Sequence, residues 1–435
     1  MKAWKKLALM SLVCLATGVG VLSASGCEEP KKQLKYYLSE DGSYYIVSGI
    51  GTYQGETLEI PQTHNGRPVK GILDRAFYNC DQLKSVVIPD HITEWGFGVF
   101  ENCDGIEKAV IGDGVDEVPS AAFAGCKNLF SVTLGDQIHN IVVDAFEGCT
   151  RLAEVYNYSR LTLEAGQKGQ GNVAYYAKDV YTDENAKSRL VTNRDGFVLH
   201  SDGTVVSLIA YVGKQSEITM PDKVTVINDY AFDSTDVLRT VTIDRKVQTI
   251  GAYAFIDCDN LQSVTMSDSV TTVEEGAFYN CDRLTDVVIG ENVTTIGERA
   301  FSCSDGLVNV VIPDTVKILG QEAFLDCLGL KTVKLGNGLV VIEEKTFANC
   351  TALEKVEIGE GVDRICRQAF AGCTQFKSAV FAKTTVWWVA DGPYETSGLL
   401  VTQEVMESAI SAAYYLVGEY KDRYWNRLDG ELDTE

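Results

Sequence analysis

The side chains with the most reactive chemistry in this chain are its thiols. Among 435 residues there are 13 cysteines and four histidines, and a thiol can cross-link, ligate a soft metal or act as a nucleophile. Nine of them, Cys80, Cys103, Cys126, Cys149, Cys258, Cys281, Cys327, Cys350 and Cys373, occupy one position of a 23-residue spacing that runs in two blocks. That spacing contains no paired CxxC knuckle for zinc. It predicts a ladder of small, weakly polar side chains packed beneath successive turns, as buried free thiols, with disulfides between adjacent rungs as the alternative. Cys303 is displaced by one place and Ser304 takes its slot, while Cys366 stands where other repeats carry Gly. The histidines, His64, His91, His139 and His200, fall in different segments without a repeated acid or nucleophile. His64 reads as an exposed loop residue, and His91 and His139 as turn residues between strands. No phosphate-cradling glycine loop, zincin helix or GxSxG elbow occurs. Neither a catalytic centre nor a metal or cofactor site is expected.

The elements that would carry such a ladder follow from the same spacing. Phe recurs at 77, 100, 123 and 146, and again at 232, 255, 278, 301, 324, 347 and 370, always 23 residues apart within a block. Ala precedes it except at Val99 and Thr346, Cys usually follows three residues later, and Leu six later. In Ala277–Phe301 the apolar residues Leu284, Val287 and Ile289 predict a short strand. A turn at 290–292 and a helical or 3₁₀ return around 298–301 complete the period. One such unit buries too few side chains to offset the entropy of ordering it. Stacked units bury each other's faces, so the expected fold is an α/β leucine-rich-repeat solenoid. Its expected features are a right-handed coil, a parallel sheet on one face, and caps at both ends.

The chain carries a formal charge of -23. Its first 26 residues hold three Lys and no acid, leaving 35 basic against 61 acidic side chains beyond them. Such a balance speaks against nucleic acid or an anionic membrane surface as a partner held by charge. Lys2, Lys5 and Lys6, the apolar run Leu7 to Leu22 and the small residues after it predict an export signal over residues 1–26. Ser23-Ala24-Ser25-Gly26-Cys27 resembles a bacterial lipobox, which implies lipidation of Cys27. Simple secretion with a free Cys27 is the alternative, because Ala24 stands where such boxes usually have Leu. Residues 27–34 then form a tether, 35–73 an N-terminal cap, 74–155 and 213–381 the two repeat blocks, and 156–212 an insert. Asp195-Gly196 and Asp202-Gly203 bracket a hairpin in that insert. From Thr402, as N-cap, helical spacing predicts a capping helix over about 403–426 in the terminal segment 382–435.

The pattern Ala76-Phe77, Cys80, Leu83, Val86, Ile88, Pro89 resembles the BspA-like leucine-rich-repeat surface proteins of bacteria. YNYSRLTL and NVAYYAKDVYT in the insert, and AAYYLVGEYKDRYWNRL in the tail, are similar to segments of the same proteins. The resemblance implies adhesion to host proteins or other cells, from a position exposed at the cell surface and anchored through the N-terminal lipid alone.

Outward positions of the strands give the candidate interaction face. Eight residues past each Phe lie Thr240, Ser263, Asp286, Asn309, Thr332 and Lys355, and ten past it Thr242, Thr265, Val288, Val311, Lys334 and Glu357. Ser85, Lys108 and Ser131, with Val87, Val110 and Thr133, are their counterparts in the first block. β-propensity alone accounts for much of the Val and Thr. The functional expectation is a flat, weakly polar surface for an extracellular or host protein. Aromatic residues are absent from these rows, so a glycan ligand would be sought at Tyr175, Tyr176, Trp387, Trp388 and Tyr394. A scaffold of the cell envelope with no external ligand is the third reading.

Overall fold

Two residues in every period but that of Phe146, which has one, adopt the left-handed backbone region, and this decides how the chain turns back. One lies two residues before the Phe, as at Arg75, Tyr253, Arg299 and Lys345, and the other two after it, as at Asn79, Asp257, Asn280 and Asn349. Left-handed residues end a helix. The return segments are therefore successive tight turns, and the expected helical or 3₁₀ return is corrected to turns throughout the repeats. The protein is a β-solenoid of about 15 turns. This computed structural model describes residues 33–427 except 245, 394, 396 and 397. The expected export signal, Cys27 and Tyr394 lie outside the described residues.

Each period also contributes two strands where one was expected. Asp286–Val288 is followed by Thr295–Ile296 in the same period, and both kinds pair parallel with their counterparts on neighbouring turns. In the first block the strands Thr57–Leu58, Ser85–Ile88, Lys108–Ile111, Ser131–Leu134, Glu154–Asn157 and Asp179–Tyr181 form one six-stranded sheet. In the second, four strands from Glu217–Thr219 to Asp286–Val288 make one sheet, and four from Asn309–Val311 to Ser378–Phe381 make another.

Between the strands the Phe rings stack face to face, with centroids 4.4 Å apart for Phe232 and Phe255 and 5.5 Å for Phe347 and Phe370. All eleven are buried. Backbone bonds run along the axis as well: the Phe278 N–H donates to the Ala300 carbonyl at 2.7 Å. Eight of the nine ladder cysteines, all but Cys80, complete this lattice. The Cys281 thiol donates to the Phe255 carbonyl at 3.1 Å, and Cys126, Cys258, Cys327, Cys350 and Cys373 repeat the contact. A buried carbonyl is thereby satisfied; at Phe100, Phe123, Phe232 and Phe347 the backbone N–H three residues on donates to the same oxygen.

The insert is more continuous with the coil than its off-phase length suggested. Glu154–Asn157 and Asp179–Tyr181 extend the first block's sheet in register. The hairpin Phe197–Ser201 with Val206–Tyr211 is present, and its second strand pairs parallel with Val226–Ile227 to start the second block. At the far end the expected helix over 403–426 is corrected to two short helices, Gln403–Glu407 and Ala409–Val417. Thr402 makes no side-chain cap; Ser408 caps the second helix, accepting from the Ser411 N–H. Tyr424–Arg427 instead forms a strand, antiparallel to Arg364–Ile365 and to Trp387–Ala390. A Tyr-Trp pair suits a strand, and it covers an edge that the last repeat would leave open. Trp387 and Trp425 are buried there.

Candidate functional site

The outward rows lie in register on the sheets. Thr240 pairs with Ser263 and Ser263 with Asp286, while Thr242 pairs with Thr265 and Thr265 with Val288. Further along, Asn309, Thr332 and Lys355 form one line and Val311, Lys334 and Glu357 the other. Every one of these twelve side chains is exposed or half-buried. The Lys355 ammonium meets the Glu357 carboxylate at 2.6 Å and holds it below its ordinary pKa. The two rows are not continuous, however. No ladder joins Asp286–Val288 to Asn309–Val311. Val288 and Val311, 55% and 60% exposed, flank this break and are the most exposed apolar side chains of the rows.

The first block's face ends differently. Its rows continue from Ser131 to Glu154 and Asp179, and from Thr133 to Tyr156 and Tyr181. The expectation that the rows contain no aromatic residue holds for the second block and is corrected for the first, whose last two tyrosines have ring centroids 4.9 Å apart. Tyr156 stands ten past Phe146, in phase with Thr133, and belongs to the row by spacing alone; Tyr181 is out of phase because the step from 156 to 181 is two residues longer than a repeat. Ser131 and Glu154 are also buried. Segment 188–200 folds back over them: the Ser188 hydroxyl and the Arg189 N–H donate to Glu154 at 2.8 and 2.6 Å.

His200 completes a cluster that the sequence positions did not suggest. Its Nε2 lies 2.6 Å from Asp179 Oδ2, and the Arg189 guanidinium donates to Oδ1 of the same carboxylate at 2.8 Å. Burial pushes the Asp179 pKa up, but hydrogen bonds from His200 and Tyr181 and the nearby positive charges outweigh it, leaving the group below its ordinary value. Burial and the adjacent carboxylates push the Tyr156 and Tyr181 hydroxyls well up, so both stay protonated donors.

The remaining histidines are separate. His64, expected as an exposed loop residue, is corrected to a half-buried end of the strand Thr63–His64, stacked on Tyr36 at 3.8 Å. A second feature missed by the spacing is Arg151, buried at the junction of the blocks, whose guanidinium donates to the Tyr230 and Asp233 carbonyls at 2.9 Å each.

The eleven cysteines of the described residues are free. Burial pushes the Cys103, Cys258 and Cys373 thiols up to about 12, so they are neutral hydrogen-bond donors and poor nucleophiles. Ser304 makes the ladder contact itself, donating to the Phe278 carbonyl at 2.9 Å. Cys303 sits in the left-handed position two past its Phe, where other repeats carry Asn, Asp, Ser or Gly. Of the aromatic residues suggested for glycans, Trp387 is buried in the cap, and Tyr175 and Tyr176 pack on each other at 4.7 Å.

No helix among the described residues is long and apolar enough to cross a membrane. Known structures of similar fold include a leucine-rich cell-surface protein from Faecalibacterium prausnitzii, 23% identical, covering 77% of this chain and 95% of its own, with a TM-score of 0.35. A leucine-rich-repeat protein from Eubacterium ventriosum is 20% identical over 81% of this chain and 95% of its own, with a TM-score of 0.48. The pneumococcal vaccine antigen PcpA is 18% identical over 80% of this chain and 77% of its own, with a TM-score of 0.39. No curated protein matches the chain. The model of the BspA type leucine-rich-repeat region matches in six copies over residues 52–164, 210–330 and 300–388. With the Phe stack, thiol ladder and paired parallel strands spanning those same residues, the chain belongs to the BspA-type leucine-rich-repeat family.

Proposed function

We propose that this chain is a non-catalytic surface lipoprotein, held to the membrane through a lipid on Cys27, that adheres to an extracellular or host protein through the open sheet face of its second block. In this reading the coil winds right-handed, the hand that parallel crossovers take almost universally. The supporting observation is the pair Val288 and Val311, apolar and more than half exposed on either side of a break in an otherwise paired sheet. Isolated exposed valines are ordinary. Two that flank a break between strand edges, within rows of Thr, Ser and Asn, offer an apolar centre with a polar rim, the anatomy of a protein contact. The test is binding of the lipid-free chain to an array of extracellular-matrix proteins, host-surface proteins and glycans. Saturable protein binding lost on Val288→Lys or Val311→Lys supports the proposal. Absence of any binding at micromolar concentration favours an envelope scaffold instead.

A second reading rests on Tyr156 and Tyr181, whose adjacent rings end the first block's row. Aromatic faces beside carboxylates suit a carbohydrate. Glycan binding that survives the valine substitutions and is lost on Tyr156→Ala would establish it.

A further inference from the structure

In a parallel ladder, residues in register on neighbouring strands stand one above the other, and like charges so placed repel. Glu154 and Asp179 are in register on adjacent strands. No other neighbouring pair in this row sets two carboxylates together among the described residues. Glu154 is moreover fully buried, at 0% exposure, where a charge is costly unless an opposite charge meets it. The donors that reach it are all neutral: the Ser188 hydroxyl at 2.8 Å, the Arg189 backbone N–H at 2.6 Å, and the Tyr156 and Tyr181 hydroxyls at 3.1 and 3.4 Å. Arg189's guanidinium is on Asp179, not on Glu154. His200, 5% exposed, reaches in from the hairpin strand Phe197–Ser201. One ligand atom from each of Glu154, Asp179 and His200 lies within 4.8 Å of the others.

We propose that Glu154, Asp179 and His200 form a binding site for a divalent transition-metal ion of the Zn²⁺ type. One imidazole nitrogen with two carboxylate oxygens suits zinc and its first-row neighbours, whereas Ca²⁺ and Mg²⁺ favour all-oxygen shells. The ion supplies the opposite charge that the buried Glu154 lacks. On binding, the His200–Asp179 hydrogen bond is exchanged for one bond from each group to the metal, and any proton on Nε2 is released to solvent. The hydroxyls of Ser188, Tyr156 and Tyr181 hold the carboxylates in orientation, as hydrogen-bonding partners of metal ligands do. Arg189 keeps its contact with the second oxygen of Asp179. The consequence is mechanical: the ion ties the hairpin that opens the second block to the last strands of the first, so metal binding stabilises the junction.

The test is calorimetric titration of the EDTA-stripped full chain with ZnCl₂, paired with the visible spectrum after Co²⁺ addition. Expected are one equivalent bound, Co²⁺ bands typical of mixed nitrogen and oxygen ligation, a raised melting temperature with Zn²⁺, and no response to Mg²⁺ at equal concentration. His200→Ala is expected to weaken binding more than the roughly 10- to 100-fold that loss of a partner of a ligand costs. Should His200→Ala fail to fold by circular dichroism, Glu154→Gln, which keeps size and hydrogen-bonding, takes its place. Absence of saturable Zn²⁺ binding by the wild-type chain overturns the proposal whatever the variants do. So does undiminished affinity in whichever variant folds, which would place the ion outside this cluster. Destabilisation by His200→Ala with no metal response in the wild type would leave a plain ion pair, and also overturns it.

Discussion

The two repeat blocks have the same interior and opposite surfaces. In both, Phe stacks on Phe, thiols bond to Phe carbonyls and strands pair in parallel register. In the first block the outward row from Ser85 runs into two carboxylates and the row from Val87 into two tyrosines, and folded-back chain from the insert buries Glu154. In the second, the row stays open, and valines stand exposed at a break in the sheet. Inward positions answer to packing, which every turn demands alike. Outward positions are under no such demand, so that is where the blocks differ and where a partner can be recognised.

The largest expected effect tests the shared half of that comparison. Phe123→Ala and Phe278→Ala each remove a fully buried ring from the middle of a stack, and each should cost about 3–5 kcal/mol. Denaturant melts of the two variants should show similar losses. A cost below about 1 kcal/mol in one block would mean that its stack is not a structural equivalent of the other.

The inward half of the molecule was legible because a repeated position is stated eleven times over. Phe, Leu and Cys recur at fixed offsets, and their burial follows. The return segments were not legible. The left-handed position before every Phe but Phe146 is filled by Tyr, Arg, Ala, Glu, Lys and Gln as well as Gly, so residue type hid a conformation usually marked by Gly or Asn. The second strand is only two residues long and is defined by its neighbours more than by its own pattern. The Glu154, Asp179 and His200 cluster was hidden for a further reason. Its members come from segments separated by 25 and 21 residues, with a step that leaves the 23-residue phase. Only the fold-back of the insert brings them together.

A middle-sized effect probes the thiol ladder. Cys281→Ala strands the buried Phe255 carbonyl and should cost about 1–3 kcal/mol. Cys281→Ser should cost less, since Ser304 already makes the equivalent bond. The ladder also predicts alkaline sensitivity. A thiol raised to about 12 in the fold, such as Cys103, ionises first in the unfolded chain, near its ordinary value of about 8.5. The unfolded state then binds fewer protons than the folded one. Stability is therefore complete below about pH 8.5 and falls as pH rises toward the folded value. Melts across this range should show a shallower decline for Cys103→Ser than for the wild type. An unchanged slope would mean that the thiol is not held neutral.

The smallest effect on stability is the most informative about function, because it separates the two faces. Val311→Lys places a long charged side chain where Val is 60% exposed, and surface changes of this kind stay within about 0.5 kcal/mol. Val110→Lys makes the same change on the first block, at a half-buried outward position in register with Val87 and Thr133. If the second block's face is the docking surface, the first variant loses partner binding at unchanged melting temperature while the second retains it. Equal loss in both would spread the contact over the whole sheet and remove the distinction between blocks. Loss only in Val110→Lys would move the site to the face that ends in Tyr156 and Tyr181, where the partner would meet aromatic rings and the fold-back of the insert instead of an open apolar break.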